Sequence, residues 1–268
     1  MTRLTDADVA DLTRELDAVE DRLRAATGMG LRDLALQAVT DGDRCVGLHG
    51  VRVAAVPVSS GQGVISGFSA CVAAVLKRLG CDAWETSQAD VRGIQAALAA
   101  GAEVLFLADD LRFIAVNVTR GMSVDDDPAT ADGYVTALEA AAGGLEDRDV
   151  LVLGLGPVGR AAVRRLMAHG AIVLATEPDA ERASAARTIG LELQVVDLAA
   201  GLARCDLIFD ASPAAGIIDA ADLRPGMVAA VPGMPSAFTA AAQEALGVRH
   251  IHEPLAVGVA VMAARALL

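Results

Sequence analysis

The stretch VLVLGLGPVG, Val150 to Gly159, leaves the chain little freedom. An apolar run ends in glycines at Gly154, Gly156 and Gly159, and Ala161, Val163, Leu166 and Met167 then recur at helical spacing, so the segment reads as strand, tight loop and helix. The three glycines serve different mechanical ends, with Gly154 making the turn, Gly156 allowing close approach of a pyrophosphate, and Gly159 packing the helix on the strand. Glu177 closes the next apolar run, where an acid binds ribose hydroxyls. The loop Gly154, Leu155, Gly156, Pro157, Val158 and Gly159, with Glu177 and Pro178, is therefore the expected dinucleotide site. Glu177 would repel a ribose phosphate and no arginine follows it directly, which points to NAD over NADP.

The same rhythm continues with AIVLATE, LELQVVD, DLIFDAS, GMVAAVPG and VRHIHEPL, giving six short strands that suit a doubly wound Rossmann sheet. Ala211, Ser212 and Pro213 after one strand, and Pro232 and Gly233 after another, are expected beside the nicotinamide. The tail LAVGVAVMAARALL reads as a buried helix able to pack against the first half.

That first half opens on an amphipathic helix, with a capping box at Thr5 and Asp8 and apolar Val9, Leu12, Leu16, Val19 and Leu23 up to Gly28. VRVAAVPV, a helix near Phe68 to Leu79, DAWE, a helix near Val91 to Ala100, and VLFLA follow as βαβαβ, implying a small parallel sheet. TRGMSVDDDPATADG is polar and broken by Gly and Pro, so the boundary is expected there, before a helix near Ala129 to Ala142. The fold class is α/β: a small N-terminal substrate domain with parallel strands, 1–126, and a Rossmann NAD-binding domain, 127–268, that includes the C-terminal helix.

A formal charge of -13 with scattered basic residues argues against nucleic acid and is compatible with a cationic small molecule. The four cysteines make no CxxC pair, and no uncharged segment approaches a membrane-spanning length, so a soluble, cytoplasmic protein with reduced thiols is expected.

Parallel sheets bind ligands outside the carboxyl ends of their strands. That rule selects the loop Ser59, Ser60, Gly61, Gln62, Gly63; the pair Asp109 and Asp110; and His252, Glu253 and Pro254. The glycine-serine loop suits a carboxylate, and the aspartates suit a substrate ammonium or its proton. Against these stand plainer readings: a common βα turn for the loop, and capping or solvated aspartates. His250 and His252 share a strand face, but with no third ligand spaced nearby a metal is not expected.

Taken together, the opening LTDADV, VPVSSGQGVISGFSA, LADDLRFIAVN, VLVLGLGPVG, VPGMPSAF and HEPLAVGVA make the chain resemble the pyrrolysine biosynthesis PylD family over nearly its whole length. The resemblance implies an NAD-dependent oxidation of the terminal amine of 3-methyl-D-ornithyl-Nε-lysine, a dipeptide-like small molecule, followed by ammonia release and closure of the pyrroline ring. It also implies a homodimer with substrate between the domains. Carried over by position, Ser60, Asp109 and Glu253 would be catalytic, and Leu4 and Asn117 would join Ser59, Gly61, Asp110 and Pro254 in holding substrate. His250, His252 and Arg112 depart from the family pattern. Two other readings stay open: oxidation or reduction of another amino-acid-derived amine or imine, and a non-catalytic NAD-sensing module.

Overall fold

A computed structural model describes residues 6, 12–40, 47–187 and 193–268. The leucine and valine spacing of the opening segment produces α1 (Leu12–Thr27), which buries Val19 and Leu23 and gives way to Gly28 at φ 75°. A second helix, α2 (Leu31–Thr40), buries Leu31, Leu34, Ala35 and Ala38.

The expected βαβαβ unit follows as β1 (Arg52–Val56), α3 (Phe68–Arg78), β2 (Asp82–Glu85), α4 (Asp90–Ala99) and β3 (Val104–Ala108), with β2, β1 and β3 parallel. The sheet does not stop there. β4 (Phe113–Asn117) and β5 (Met122–Asp125) extend it as an antiparallel meander, giving the order β2-β1-β3-β4-β5. The polar stretch expected to hold the domain boundary thus carries an edge strand, where Ser and Asp are tolerated because one side faces water. Directly after it, α5 (Asp126–Ala142) starts earlier than Ala129, since the Asp125 carboxylate accepts from the Asp127 N–H and caps the first turn. The expected border between 126 and 127 therefore falls inside the first turn of a helix.

The second sheet comprises β6 (Asp149–Leu153), α6 (Pro157–Ala168), β7 (Ile172–Thr176), α7 (Ala180–Arg187), β8 (Gln194–Val195), α8 (Leu198–Arg204), β9 (Leu207–Asp210), β10 (Val228–Ala230), α9 (Ala240–Leu246) and β11 (His250–Ile251). All its strands are parallel in the order β11-β10-β9-β6-β7-β8, a doubly wound sheet whose order reverses between β6 and β9.

The C-terminal helix α10 (Ala256–Leu267) is buried almost all round and packs on α5, α2, α3 and β4. Its approach to α5 depends on small residues: a Cβ on Gly133 would fall 2.5 Å from Val257 Cγ1. One apolar core consequently runs from Val19 and Leu34 through Tyr134, Leu138 and Val257 to Val150 and Val163. Cys71, Cys81 and Cys205 are buried thiols outside any disulfide, and burial pushes Cys81 up to about 11. Among the described residues no helix is long and apolar enough to cross a membrane.

Candidate active site

The carboxyl ends of both sheets open on one cleft, bounded by the turns after β1 and β3 on one side and those after β6, β9 and β10 on the other. The dinucleotide side is built on backbone geometry. Gly154 sits at φ 83°, where only glycine is unstrained, and its N–H donates to Thr176 O. A Cβ on Gly159 would lie 1.9 Å from Gly154 O, whereas a Cβ on Gly156 would meet nothing within 4 Å. Packing thus demands one glycine, while the other leaves bare backbone facing open space at the start of α6, which fits an approaching pyrophosphate.

The Glu177 carboxylate accepts from Leu155 N–H at 2.7 Å and from Asp179 N–H at 3.0 Å, which places it beside the loop. Pro178 follows it at the surface. Ala211, Ser212, Pro232 and Gly233 line the cleft, and Pro213 lies outside it, exposed. Asp210 ties these loops together: wholly buried, it accepts from Ser212 N–H, Ser212 Oγ and Ala237 N–H at 3.0, 2.7 and 2.8 Å. Gly233 is required where the loops cross, because a Cβ there would fall 2.5 Å from Ser212 O.

On the opposite wall, Ser59 donates through N–H and Oγ to Asp90 at 2.8 and 2.6 Å, which holds that carboxyl below the usual range. Gly61 lies at φ 71° and Gln62 N–H donates to Asp110 at 2.6 Å, so the serine loop is laced to the acidic turn. Asp109 and Asp110 line the cleft, whereas Ser59, Ser60 and Gly61 are exposed and stand outside its lining, which takes up the loop again at Gly63. Asp109 also shapes its own turn by accepting from Leu111 and Arg112 N–H at 2.8 Å each, bonds that hold it below the ordinary carboxylate range. Arg112, beside it, pairs with Asp125 at 2.5 Å.

Several expected residues sit elsewhere. Pro254 lines the cleft, but the neighbouring Glu253 does not: it is 4% exposed and gripped by Arg22 of α1, Nε to Oε1 at 2.5 Å and Nη2 to Oε2 at 2.7 Å. Burial raises the Glu253 pKa and Arg22 opposes the rise. Asn117 is also outside the cleft; buried, it donates to Ala266 O at 2.7 Å and accepts from Thr119 Oγ1 and Arg120 N–H, fastening α10 to β4. Leu4 lies outside the described residues. Half-buried His250, pushed down to about 4 by desolvation, packs against Phe238, and His252 Nδ1 lies 2.7 Å from Val231 O. Among the described residues no three His, Cys, Asp or Glu side chains are grouped to hold a metal.

Sequence reasoning passed over the stripe Asp126, Thr130 and Tyr134, one helical turn apart along α5, which lines the cleft between its two walls. Its signal is the i, i+4, i+8 spacing, visible once the helix starts at Asp126.

Comparison with known proteins settles the relationship. Residues 8–124 match the family profile described as pyrrolysine biosynthesis protein PylD, N-terminal domain. Pyrrolysine synthase of Methanosarcina acetivorans is 30% identical over 268 residues, 98% of each chain. The chain belongs to the pyrrolysine synthase family. Within that family, pyrrolysine synthase of Methanosarcina barkeri is 31% identical over 98% of this chain and 97% of its own. Residues 149–229 match a profile described as NADP oxidoreductase coenzyme F420-dependent. Quinate dehydrogenase from Corynebacterium glutamicum, solved in complex with NAD, shares the fold at 18% identity, with a TM-score of 0.53 over 82% of this chain and 94% of its own. Family and fold together make this protein a Rossmann oxidoreductase with a nicotinamide dinucleotide site.

Proposed function

We propose that the protein oxidises the terminal amine of (3R)-3-methyl-D-ornithyl-Nε-L-lysine with NAD, releases ammonia, and lets the resulting aldehyde cyclise to the pyrroline ring of L-pyrrolysine. The observation that carries this reading is a cleft with a bare glycine loop on one wall and the carboxylates of Asp109 and Asp110 on the other, in a chain aligned end to end with pyrrolysine synthases. When bound, the dinucleotide supplies the hydride acceptor. Backbone N–H groups at Gly156 and the start of α6 suit its pyrophosphate, and Glu177 suits unphosphorylated ribose hydroxyls.

In this reading Asp109 and Asp110 attract the ammonium groups of the substrate, and the Ser59 to Gly63 loop receives its carboxylate. Ser60 contributes its hydroxyl at the rim. Glu253 joins them only when Arg22 releases it, since the two carboxylate oxygens are held by that one guanidinium. The same reading has the protein acting as a homodimer, checked by light scattering.

The deciding experiment supplies purified protein with NAD and the synthetic substrate, follows NADH, and weighs the product. Pyrrolysine, lighter than substrate by ammonia and a pair of hydrogens, is the expected result; NAD binding without NADH would overturn the reading. Asp109→Asn keeps the turn-forming oxygen but loses the charge, so kcat/KM is expected to fall about tenfold. NAD should bind about 100-fold more tightly than NADP, since a ribose phosphate would face Glu177, and Glu177→Ala should shrink that gap in calorimetry.

A further inference from the structure

Oxidation of an amine by hydride loss needs the nitrogen lone pair, so the substrate ammonium must first give up a proton. We propose that the acceptor is Asp126, a role that rests on the oxidation proposed above. The ammonium N–H proton passes to the Asp126 carboxylate; the neighbouring C–H bond then breaks, its electron pair leaves as hydride to NAD, and the nitrogen lone pair forms the C=N bond of the iminium.

Three aspartates line the cleft, and their surroundings differ. Asp109 is exposed and already accepts from two backbone N–H groups, which favour its charged form and weaken it as a base. Asp110, half-buried, is tied through Oδ2 to Gln62 N–H at 2.6 Å, a bond that also favours its charged form. Asp126 lies deep, 8% exposed, between the dinucleotide loop and the acidic turn, with Thr130 Oγ1 donating to its Oδ1 at 3.0 Å. The facing helix α10 leaves room for it with Gly258, where a Cβ would fall 2.6 Å from that same Oδ1. A bare glycine opposite a buried carboxylate keeps the acid in the cleft and dry.

The charged neighbours agree with the role. Asp125 and Asp127 in the same turn oppose ionisation of Asp126, Tyr134 two turns along is coupled to it by charge, Asp109, Asp110 and Arg112 stand on the turn across the cleft, Arg160 of α6 acts on Asp127, and α10 brings Gly258 against it. Burial, the largest cause, pushes the Asp126 carboxyl up to about 7, where a group can both take and release a proton near neutrality.

The test is the pH profile of kcat/KM for wild type, Asp126→Asn and Thr130→Val, with dinucleotide affinity measured beside it. Wild type should gain activity as pH rises through about 7. Asp126→Asn should lose roughly 100-fold or more in kcat with little change in KM or dinucleotide affinity, and its residual rate should climb about tenfold per pH unit as hydroxide replaces the lost base. Thr130→Val, which removes a bond favouring the ionised acid, should move the midpoint upward, a displacement that a purely structural role for Asp126 does not produce. Asp126→Asn turning over within about threefold of wild type, with the limb near neutrality intact, overturns the inference while leaving the proposed reaction standing. Wild type forming no NADH from the substrate overturns both.

Discussion

Alanine at Gly159 should abolish tight dinucleotide binding and lower thermal stability together, whereas alanine at Gly156 should weaken binding and leave stability unchanged. The two glycines belong to one motif but meet different surroundings. A methyl at Gly159 would fall 1.9 Å from Gly154 O and 3.0 Å from its carbonyl carbon, so α6 must lift off β6. Neither contact is the end of a flexible side chain. Overpacking of that kind costs about 1–3 kcal/mol, several degrees in the melting temperature of a chain this size. Moving the loop also misaligns N–H groups that suit the pyrophosphate; losing two such charge-assisted bonds amounts to about 100-fold in affinity. At Gly156 the backbone is in an ordinary conformation, φ -65°, and the space is open, so the methyl disturbs only what enters from the cleft. Calorimetry on both variants separates the effects. Equal melting temperatures for the two would contradict the packing account of Gly159.

Arg22→Ala should destabilise the fold strongly at pH 8 and much less at pH 5. Removing the guanidinium strands a carboxylate that is 4% exposed, an act that costs about 3–5 kcal/mol for fully buried pairs; because the Arg22 side chain is 52% exposed, about 2–3 kcal/mol is the better expectation. The pH dependence follows from the sign of the linkage. Burial already raises the Glu253 pKa above its unfolded value, and loss of Arg22 raises it further. Between the unfolded and folded values the native state holds a proton that the unfolded chain lacks, so stability falls as pH rises through that interval. Near pH 5 the stranded carboxyl protonates and most of the loss is relieved. Urea unfolding of Arg22→Ala at the two pH values checks the trend, and adding Glu253→Gln should restore much of the stability at pH 8. An equal loss at both pH values would mean that the contact acts through packing, not charge.

What could be read in the sequence divides along physical lines. The segment from β6 to Glu177 was legible because its glycines, apolar runs and acid are local requirements of one short unit: strand, loop and helix follow in that order, Gly154 makes the turn, Gly159 packs the helix, and Glu177 stands against the loop. The β4–β5 meander was not, because an edge strand buries only part of its side chains; Met122–Asp125 reads as linker when its neighbour is unknown. The helix α2 carried a visible signal, Leu31, Leu34, Ala35 and Ala38, in a stretch to which sequence reasoning assigned no element. Glu253 shows the limit of strand-end reasoning. That rule finds a carboxylate beside a ligand site, yet cannot see a partner on the opening helix, 231 residues away. Asp126 fails for the opposite reason. In sequence it is one of three adjacent aspartates before a proline, all equally solvent-like, and only the packing of α5 against α10 makes one of them dry.

That packing also decides which parts of the protein can move. The two sheets share a continuous apolar core through α5 and α10, so turning one sheet against the other would shear close-packed side chains at Gly133 and Gly258, where there is no spare room. The stripe of Asp126, Thr130 and Tyr134 rides on this rigid axle. Adjustment to a ligand therefore falls to the rim, to the turn that carries Leu111, 86% exposed, and to the glycine-rich loop laced to it through Asp110. The molecule behaves less like a pair of jaws than like a fixed anvil with two soft lips.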